Sequence, residues 1–405
     1  MKLRYTIRIN QLQNYFLCLL ALFPFFEPRI FFNYAPFRPI DKIYLMAQVL
    51  AFVILAIKYI LSKKFSWCII GISLFRIVTL ISTLIAAHRI DIGWFSKTIV
   101  IVGAAIGIEL LLRKDAVMTL KCLYIIMFIP LVINSIMCIL GISFSNGGTQ
   151  YYFIGIRTQF PNTMIPIVII AFILSYIEKG TLLSKPCVVT IIICLIQLVV
   201  QWVGTGLILF VILIGMILLL TYKKGLVFFN APILFASSVM LNILIVFARV
   251  QDLFAFIIVD MLHKDLTFTG RTPIWDYAIK TFKNSPILGY GELGTGGFVK
   301  VYWANRPAPA HNTILQVLHD GGLFSLTCLI LVVFYATFVL YKNRKEIISS
   351  VLAIGIFING IEMISEVLHY QIYFFLLIIL ACNIRYILPK PDKYIISYIN
   401  TKRRN

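Results

Sequence analysis

Two short runs in this 405-residue chain hold side chains suited to moving a proton and binding an anion: Gly270-Arg271-Thr272-Pro273-Ile274-Trp275 and Pro309-Ala310-His311-Asn312. Histidine, with an ordinary pKa of about 6.5, is the side chain best matched to proton transfer at neutral pH. A guanidinium stays charged and grips phosphate oxygens through a planar fork of donors. Arg271 follows a glycine and precedes Thr-Pro, and the pattern from 273 to 282 predicts a short amphipathic helix carrying Trp275 and Tyr277. Pro307 and Pro309 stiffen the approach to His311, and Asn312 stands ahead of an apolar helical pattern. A helix beginning there sets His311, Leu315 and His319 on one face. A third run, Gly155-Ile156-Arg157-Thr158-Gln159-Phe160-Pro161-Asn162, again places an arginine just before an apolar segment. Two readings stand for each residue: His311 as a general base or as a polar residue where a helix begins, and Arg271 and Arg157 as phosphate ligands or as lipid-headgroup contacts.

Other motifs carry less. Gly289-Tyr290-Gly291-Glu292-Leu293-Gly294 matches the dinucleotide fingerprint literally, but no strand pattern leads into it and no helix pattern follows. These glycines read as tight turns and close backbone approach. No Gly-Lys-Ser/Thr follows, which excludes a P-loop. The eight cysteines fall inside apolar runs without Cys-x-x-Cys pairs and read as small core residues.

The elements that position these runs are set by composition. The chain is 60% hydrophobic and 13% charged, with a mean hydropathy of +0.95, whereas soluble domains are about 25% charged. Apolar runs of about twenty residues recur throughout, so the chain reads as one all-α, polytopic membrane domain over 1–405. Spans are expected near 15–26, 43–61, 67–87, 96–112, 122–142, 161–177, 186–200, 206–222, 228–248, 323–340, 347–364 and 372–388, about twelve in all. The first resembles a signal peptide but lacks a small-residue cleavage site, so it is expected to stay uncleaved. Between the ninth and tenth lies a polar stretch, 249–322, far longer than ordinary helix connections.

The net charge of +20 does not form one face, which argues against nucleic acid as a partner. Its basic residues recur in alternate connections: Lys2/Arg4/Arg8, Lys63/Lys64, Arg113/Lys114, Lys179/Lys185, Lys223/Lys224, Lys342/Arg344/Lys345 and the C-terminal tail. Cytoplasmic loops collect lysine and arginine, so both termini are expected in the cytoplasm and the 249–322 loop outside. Polar residues inside the spans stand out because they are expensive there. Glu109 is expected to pair with Arg113 one turn on. Arg76 and Glu362 are candidates for a buried functional role or for an ion pair with each other, with Glu366 one turn beyond Glu362.

Taken together, Thr269-Gly270-Arg271-Thr272-Pro273-Ile274-Trp275, Pro286-Ile287-Leu288-Gly289-Tyr290-Gly291 and His311-Asn312-Thr313-Ile314-Leu315-Gln316, with Asp320 and Gly322-Leu323, resemble the O-antigen ligase and polymerase superfamily. The 155–162 segment resembles that family's earlier arginine motif; the doublet Gly321-Gly322 is a minor departure. The resemblance implies a GT-C-like membrane glycosyltransferase acting on undecaprenyl-pyrophosphate-linked oligosaccharide at the outer face of the plasma membrane, with no metal or other cofactor. It implies His311 as general base and Arg271 and Arg157 on the donor pyrophosphate, with Asn312, Arg306 and Trp275 as further substrate-binding candidates. The favoured activity is a repeat-unit polymerase for capsule, exopolysaccharide or O-antigen, with flippase and chain-length regulator proteins as partners. A ligase with another acceptor shares the motifs. A flippase or transporter would instead show related halves and polar groups at the midplane.

Overall fold

The computed structural model describes residues 2–88, 92–223, 229–250, 270–292, 299–301 and 306–388. Its helices are α1 (Lys2–Leu22), α2 (Arg29–Asn33), α3 (Arg38–Leu61), α4 (Trp67–Ala87), α5 (Ile92–Lys114), α6 (Ala116–Leu140), α7 (Phe160–Lys179), α8 (Lys185–Val200), α9 (Gly204–Lys223) and α10 (Ala231–Val246). They continue with α11 (Arg271–Phe282), α12 (Thr313–Lys342), α13 (Ile347–Glu362), α14 (Ile372–Cys382) and α15 (Ile384–Ile387). Two small antiparallel hairpins, β1 (Phe144–Asn146) with β2 (Thr149–Tyr151) and β3 (Val299–Val301) with β4 (Arg306–Ala308), complete it.

Among the described residues, eight helical segments are long and apolar enough to cross a membrane. The other four expected spans correspond to the shorter apolar helices α8, α10, α13 and α14. Hydrocarbon offers no hydrogen-bond partner to a bare backbone, and helices meet that demand within one segment. Serine, aspartate and asparagine cap several of them. Ser66 accepts from the Ile69 N–H, Asp115 from Met118 and Asn312 from Leu315. The α7 span is 89% buried and lies at the centre, whereas the α3 span is 22% buried and turns Ile54, Ile57 and Ile60 outward. A belt of exposed isoleucine, leucine and phenylalanine is what a lipid-facing surface requires.

The longest helix departs from its sequence reading. It starts at Thr313 rather than at 323, because Gln316, His319 and Asp320 interrupt the apolar run while facing the protein interior, where each is buried. It also breaks at Gly322, whose φ of 61° and ψ of −160° leave the helical region. Residues 286–290 lay their backbone into that break. Tyr290 donates to the His319 carbonyl at 2.7 Å and Leu323 to the Pro286 carbonyl at 2.9 Å. A Cβ at Gly322 would sit 2.1 Å from the Ile287 carbonyl oxygen, and one at Gly289 would sit 2.4 Å from that of His319. The first two glycines of the dinucleotide-like string therefore serve close backbone approach; Gly294 lies outside the described residues. Irregular backbone at this depth is tolerated because protein surrounds it.

Two expectations for buried charges resolve differently. Glu109 and Arg113 do pair within α5, and Ser66 donates to Glu109 at 2.6 Å. Arg76 does not pair with Glu362. Its partner is Glu292, at 2.9 Å, which Lys97 also reaches at 2.8 Å. A pairing with Glu362 fails because the 286–292 segment, read from sequence as an outlying loop, folds back against α4 and brings its own carboxylate. Burial alone would raise the Glu292 carboxyl, but Arg76 and Lys97 outweigh it and hold it below the usual range.

Candidate active site

Four segments far apart in sequence meet at one end of the bundle: the turn before α7, the first turn of α11, the start of α12 and loop 363–371 after α13. The join between the last two is made by Thr313. Its N–H donates to the Met363 carbonyl at 2.9 Å, its hydroxyl donates to the Glu366 carbonyl at 2.7 Å, and it accepts from the Leu368 N–H at 3.0 Å. Asn312 adds a side-chain bond to the Ile364 carbonyl at 3.3 Å. His311 directly precedes this pair of grips, so its position relative to Glu366 is fixed by three backbone contacts and one amide.

Arg271 reaches the same place from α11. Gly270, in the left-handed region at φ 81°, turns the chain so that Arg271 opens the helix. Ile274, Trp275 and Ala278 bury the inner face, with Trp275, Leu315 and Leu318 in one apolar cluster. With the helix seated, the Arg271 guanidinium donates to the Glu366 carboxylate at 3.1 Å. Burial pushes the Glu366 carboxyl up to about 7, and the charge of Arg271 only partly draws it back.

His311 is half-buried, with φ at 47°. It stands before the helix cap, so it does not share a face with Leu315 and His319 as helical spacing suggests. Leu315 enters the apolar cluster, and His319 turns to Asp320 at 3.1 Å. The His311 backbone is steadied by its neighbour: the Ala310 N–H donates to Gln316 Oε1 at 2.8 Å, and Gln316 in turn donates to Asp320 at 2.9 Å. Burial, and after it the positive Arg271, push the His311 imidazole down to about 4. The ring is thus neutral at physiological pH and has a lone pair with which to accept a proton.

The other residues expected at a site are placed as follows. Arg157 is exposed in the turn before α7, next to Thr158, whose side chain faces Glu366. Asn162 of the same segment donates to Gln371 at 2.7 Å, so the 155–162 run is bolted to loop 363–371. Trp275 is fully buried in the core, with the Arg249 guanidinium 5.4 Å from its ring centre. Asn312 is 1% exposed and its side chain is used in the cap and in bonds to Asn242 and Ile364. Both side chains are packed or bonded within the fold in this structure. Arg306 lies in β4, and its side chain falls outside the described residues.

Sequence reasoning missed Arg29 and Thr313 and gave Glu366 no partner. Arg29 opens α2 and faces Glu362, Glu366 and Tyr373. Gly155 makes room for it: a Cβ there would come within 3.0 Å of Arg29 Cδ. The available signal was Gly155 itself, a glycine two residues before Arg157. Beside the site, Asn312 and Met363 line an apolar cavity of about 270 Å³ between α10, α12 and α13.

Behind it stands a second polar cluster. Asp320 is 1% exposed and faces Gln316, His319, His369 at 3.3 Å and the Tyr370 hydroxyl. It ties loop 363–371 to α12 a second time.

Residues 189–330 match a family model described as O-antigen ligase. The matched stretch contains α11 with Arg271, the inserted 286–292 segment and His311; Arg29, Arg157 and Glu366 lie outside it. No curated protein matches the chain.

Proposed function

We propose, for this member of the O-antigen ligase and polymerase superfamily, a repeat-unit polymerase that joins undecaprenyl-pyrophosphate-linked oligosaccharides at the outer face of the plasma membrane. The observation that carries the reading is the meeting of a neutral His311 with Arg271 and Arg29 at one end of the bundle, beside an apolar cavity. Such a site suits a substrate with a sugar, a diphosphate and a hydrocarbon tail. Lysine and arginine in alternate connections support the cytoplasmic placement of the opposite end, where Arg113 bonds the Lys64 carbonyl and Lys121 pairs with Glu178.

In this reaction His311 takes the proton of an acceptor sugar hydroxyl as its oxygen attacks the anomeric carbon. The bond from that carbon to the diphosphate breaks, and the lipid diphosphate leaves with the electron pair. One in-line displacement inverts the anomeric centre. Arg271, with Arg157 at the mouth, holds the charge that develops on the leaving group, where fixed cations are most effective.

The test is elongation by the purified chain in nanodiscs, with a lipid-linked repeat unit as donor and acceptor. A ladder of products one repeat apart supports the polymerase. Transfer confined to a different acceptor makes the protein a ligase, and movement of intact lipid-linked sugar without a new glycosidic bond makes it a flippase.

A further inference from the structure

The anion seated on Arg271 in this structure is a carboxylate of the protein itself, that of Glu366, at 3.1 Å. Glu366 is not free to swing far, since its own carbonyl is held by Thr313 and its N–H donates to the Glu362 carbonyl at 3.0 Å. The carboxylate is 10% exposed, and Arg271 17%. One turn back, the Glu362 side chain is 1% exposed, and neither of its carboxylate oxygens has a hydrogen-bond partner among the described residues.

Among the described residues, the groups facing Glu366 are Arg271 of α11, Arg29 of α2, Thr158 before α7 and Glu362 of α13. Among the described residues, the Arg271 and Arg29 guanidinium groups face the Glu366 and Glu362 carboxyl groups. A donor diphosphate esterified at both ends brings two negative charges to the guanidinium that Glu366 already occupies, and the two anions compete for it in a buried site. Like charges at this separation expel one another or take a proton.

Resting on the reading of Arg271 as a donor-phosphate ligand, we propose that Glu366 is a stand-in for the diphosphate: the arriving donor displaces it from Arg271, and Glu366 takes one proton from solvent and stays in place as a neutral acid. No covalent bond changes in this step, and the proton returns to solvent when the lipid diphosphate leaves. The resting site thereby keeps Arg271 aimed while empty. Donor binding becomes proton-linked, favoured at lower pH and weakened as pH rises above about 7, where the empty site holds Glu366 ionised.

The experiment is calorimetric titration of the full chain in nanodiscs with P1-citronellyl P2-glucosyl diphosphate, whose phosphates keep one charge each between pH 6 and 8. Buffers of different ionisation heat give the number of protons taken up. Wild type is expected to take up close to none at pH 6 and close to one at pH 8, with affinity falling about tenfold over that interval. Glu366→Gln is expected to take up none, to match wild type at pH 6 and to bind about tenfold tighter at pH 8. Zero uptake by wild type at pH 8 overturns the proposal, as does weaker binding by Glu366→Gln at every pH, which would make Glu366 a positioning residue for Arg271. Uptake that survives in Glu366→Gln but disappears in Glu362→Gln overturns it as well. Failure of wild type to bind the probe at any pH overturns the donor site itself, an outcome distinct from binding without proton uptake.

Discussion

The hydroxyl of Thr313 holds the carbonyl of Glu366 at 2.7 Å, and so couples the start of α12 to the loop that pairs with Arg271. Thr313→Val removes that hydroxyl while keeping the shape, and it leaves a buried carbonyl and the Leu368 N–H without their partner. The cost is about 1 to 3 kcal/mol. Thermal melts in detergent should show the loss, and Thr313→Ser should recover most of it. Equal stability of Thr313→Val and wild type would mean that the loop is held elsewhere.

Gly322 carries a second testable demand. Its φ of 61° and the Ile287 carbonyl oxygen 2.1 Å from a would-be Cβ leave no room for alanine. Gly322→Ala should displace the 286–292 segment and lower the yield of folded protein sharply. Gly215 in α9 has nothing within 4 Å of its would-be Cβ, so Gly215→Ala should be silent. Size-exclusion profiles of the two variants, purified side by side, decide it.

How much of this was legible in advance follows from what sequence encodes locally. Apolar runs announce helices because lipid imposes length and hydrophobicity on each segment separately. Arg271 and His311 were legible because their glycine, proline and asparagine neighbours set the local backbone. Glu366 was visible as a charge but not as the partner of Arg271, since the two are 95 residues apart and are brought together by the grips of α12 on loop 363–371, that of Thr313 among them. Arg29 looks like any basic residue beside a span. The Arg76 partnership was misread for a related reason, because hydropathy marks 286–292 as a loop and says nothing of its insertion into the break in α12.

That misreading leads to a prediction. Glu292 is 2% exposed and touches both Arg76 and Lys97, so Glu292→Gln leaves the fully buried Arg76 uncompensated. Breaking such a pair costs about 3 to 5 kcal/mol, whereas replacing both members by apolar groups is often neutral. Glu292→Gln should therefore melt well below wild type, and Arg76→Met with Glu292→Leu should recover much of the difference. A double variant worse than the single one would give Arg76 a role beyond the ion pair.

His311 can be followed directly. Its folded-state midpoint of about 4 lies below the ordinary histidine value, so the unfolded chain binds more protons in between. The stability contributed by this residue is full above about 6.5 and lost as pH falls toward 4. The rate at which diethyl pyrocarbonate modifies His311, read by peptide mass spectrometry, should have its midpoint near 4 in wild type. Arg271→Gln removes one of the two causes, and the midpoint should rise. An unchanged midpoint would separate the two residues electrostatically.

Arg271 itself distinguishes a phosphate clamp from a surface charge. A headgroup contact needs a positive charge near the interface and nothing more, so Arg271→Lys would then be nearly silent and Arg271→Ala would cost about 1 kcal/mol. A clamp on two diphosphate oxygens needs the planar fork, which a single ammonium does not reproduce. The lost bonds act chiefly as charge develops on the leaving group, so turnover should fall more than donor affinity. Lysine should fail nearly as badly as alanine, each by at least about tenfold, or about 1.4 kcal/mol of barrier. Glu366 sharpens the contrast, because a lysine at 271 can still pair with that carboxylate and keep the empty site intact. Single-turnover elongation by purified Arg271→Lys and Arg271→Ala, alongside their melting curves, is the measurement. Folded Arg271→Lys with full activity would remove the clamp from the mechanism.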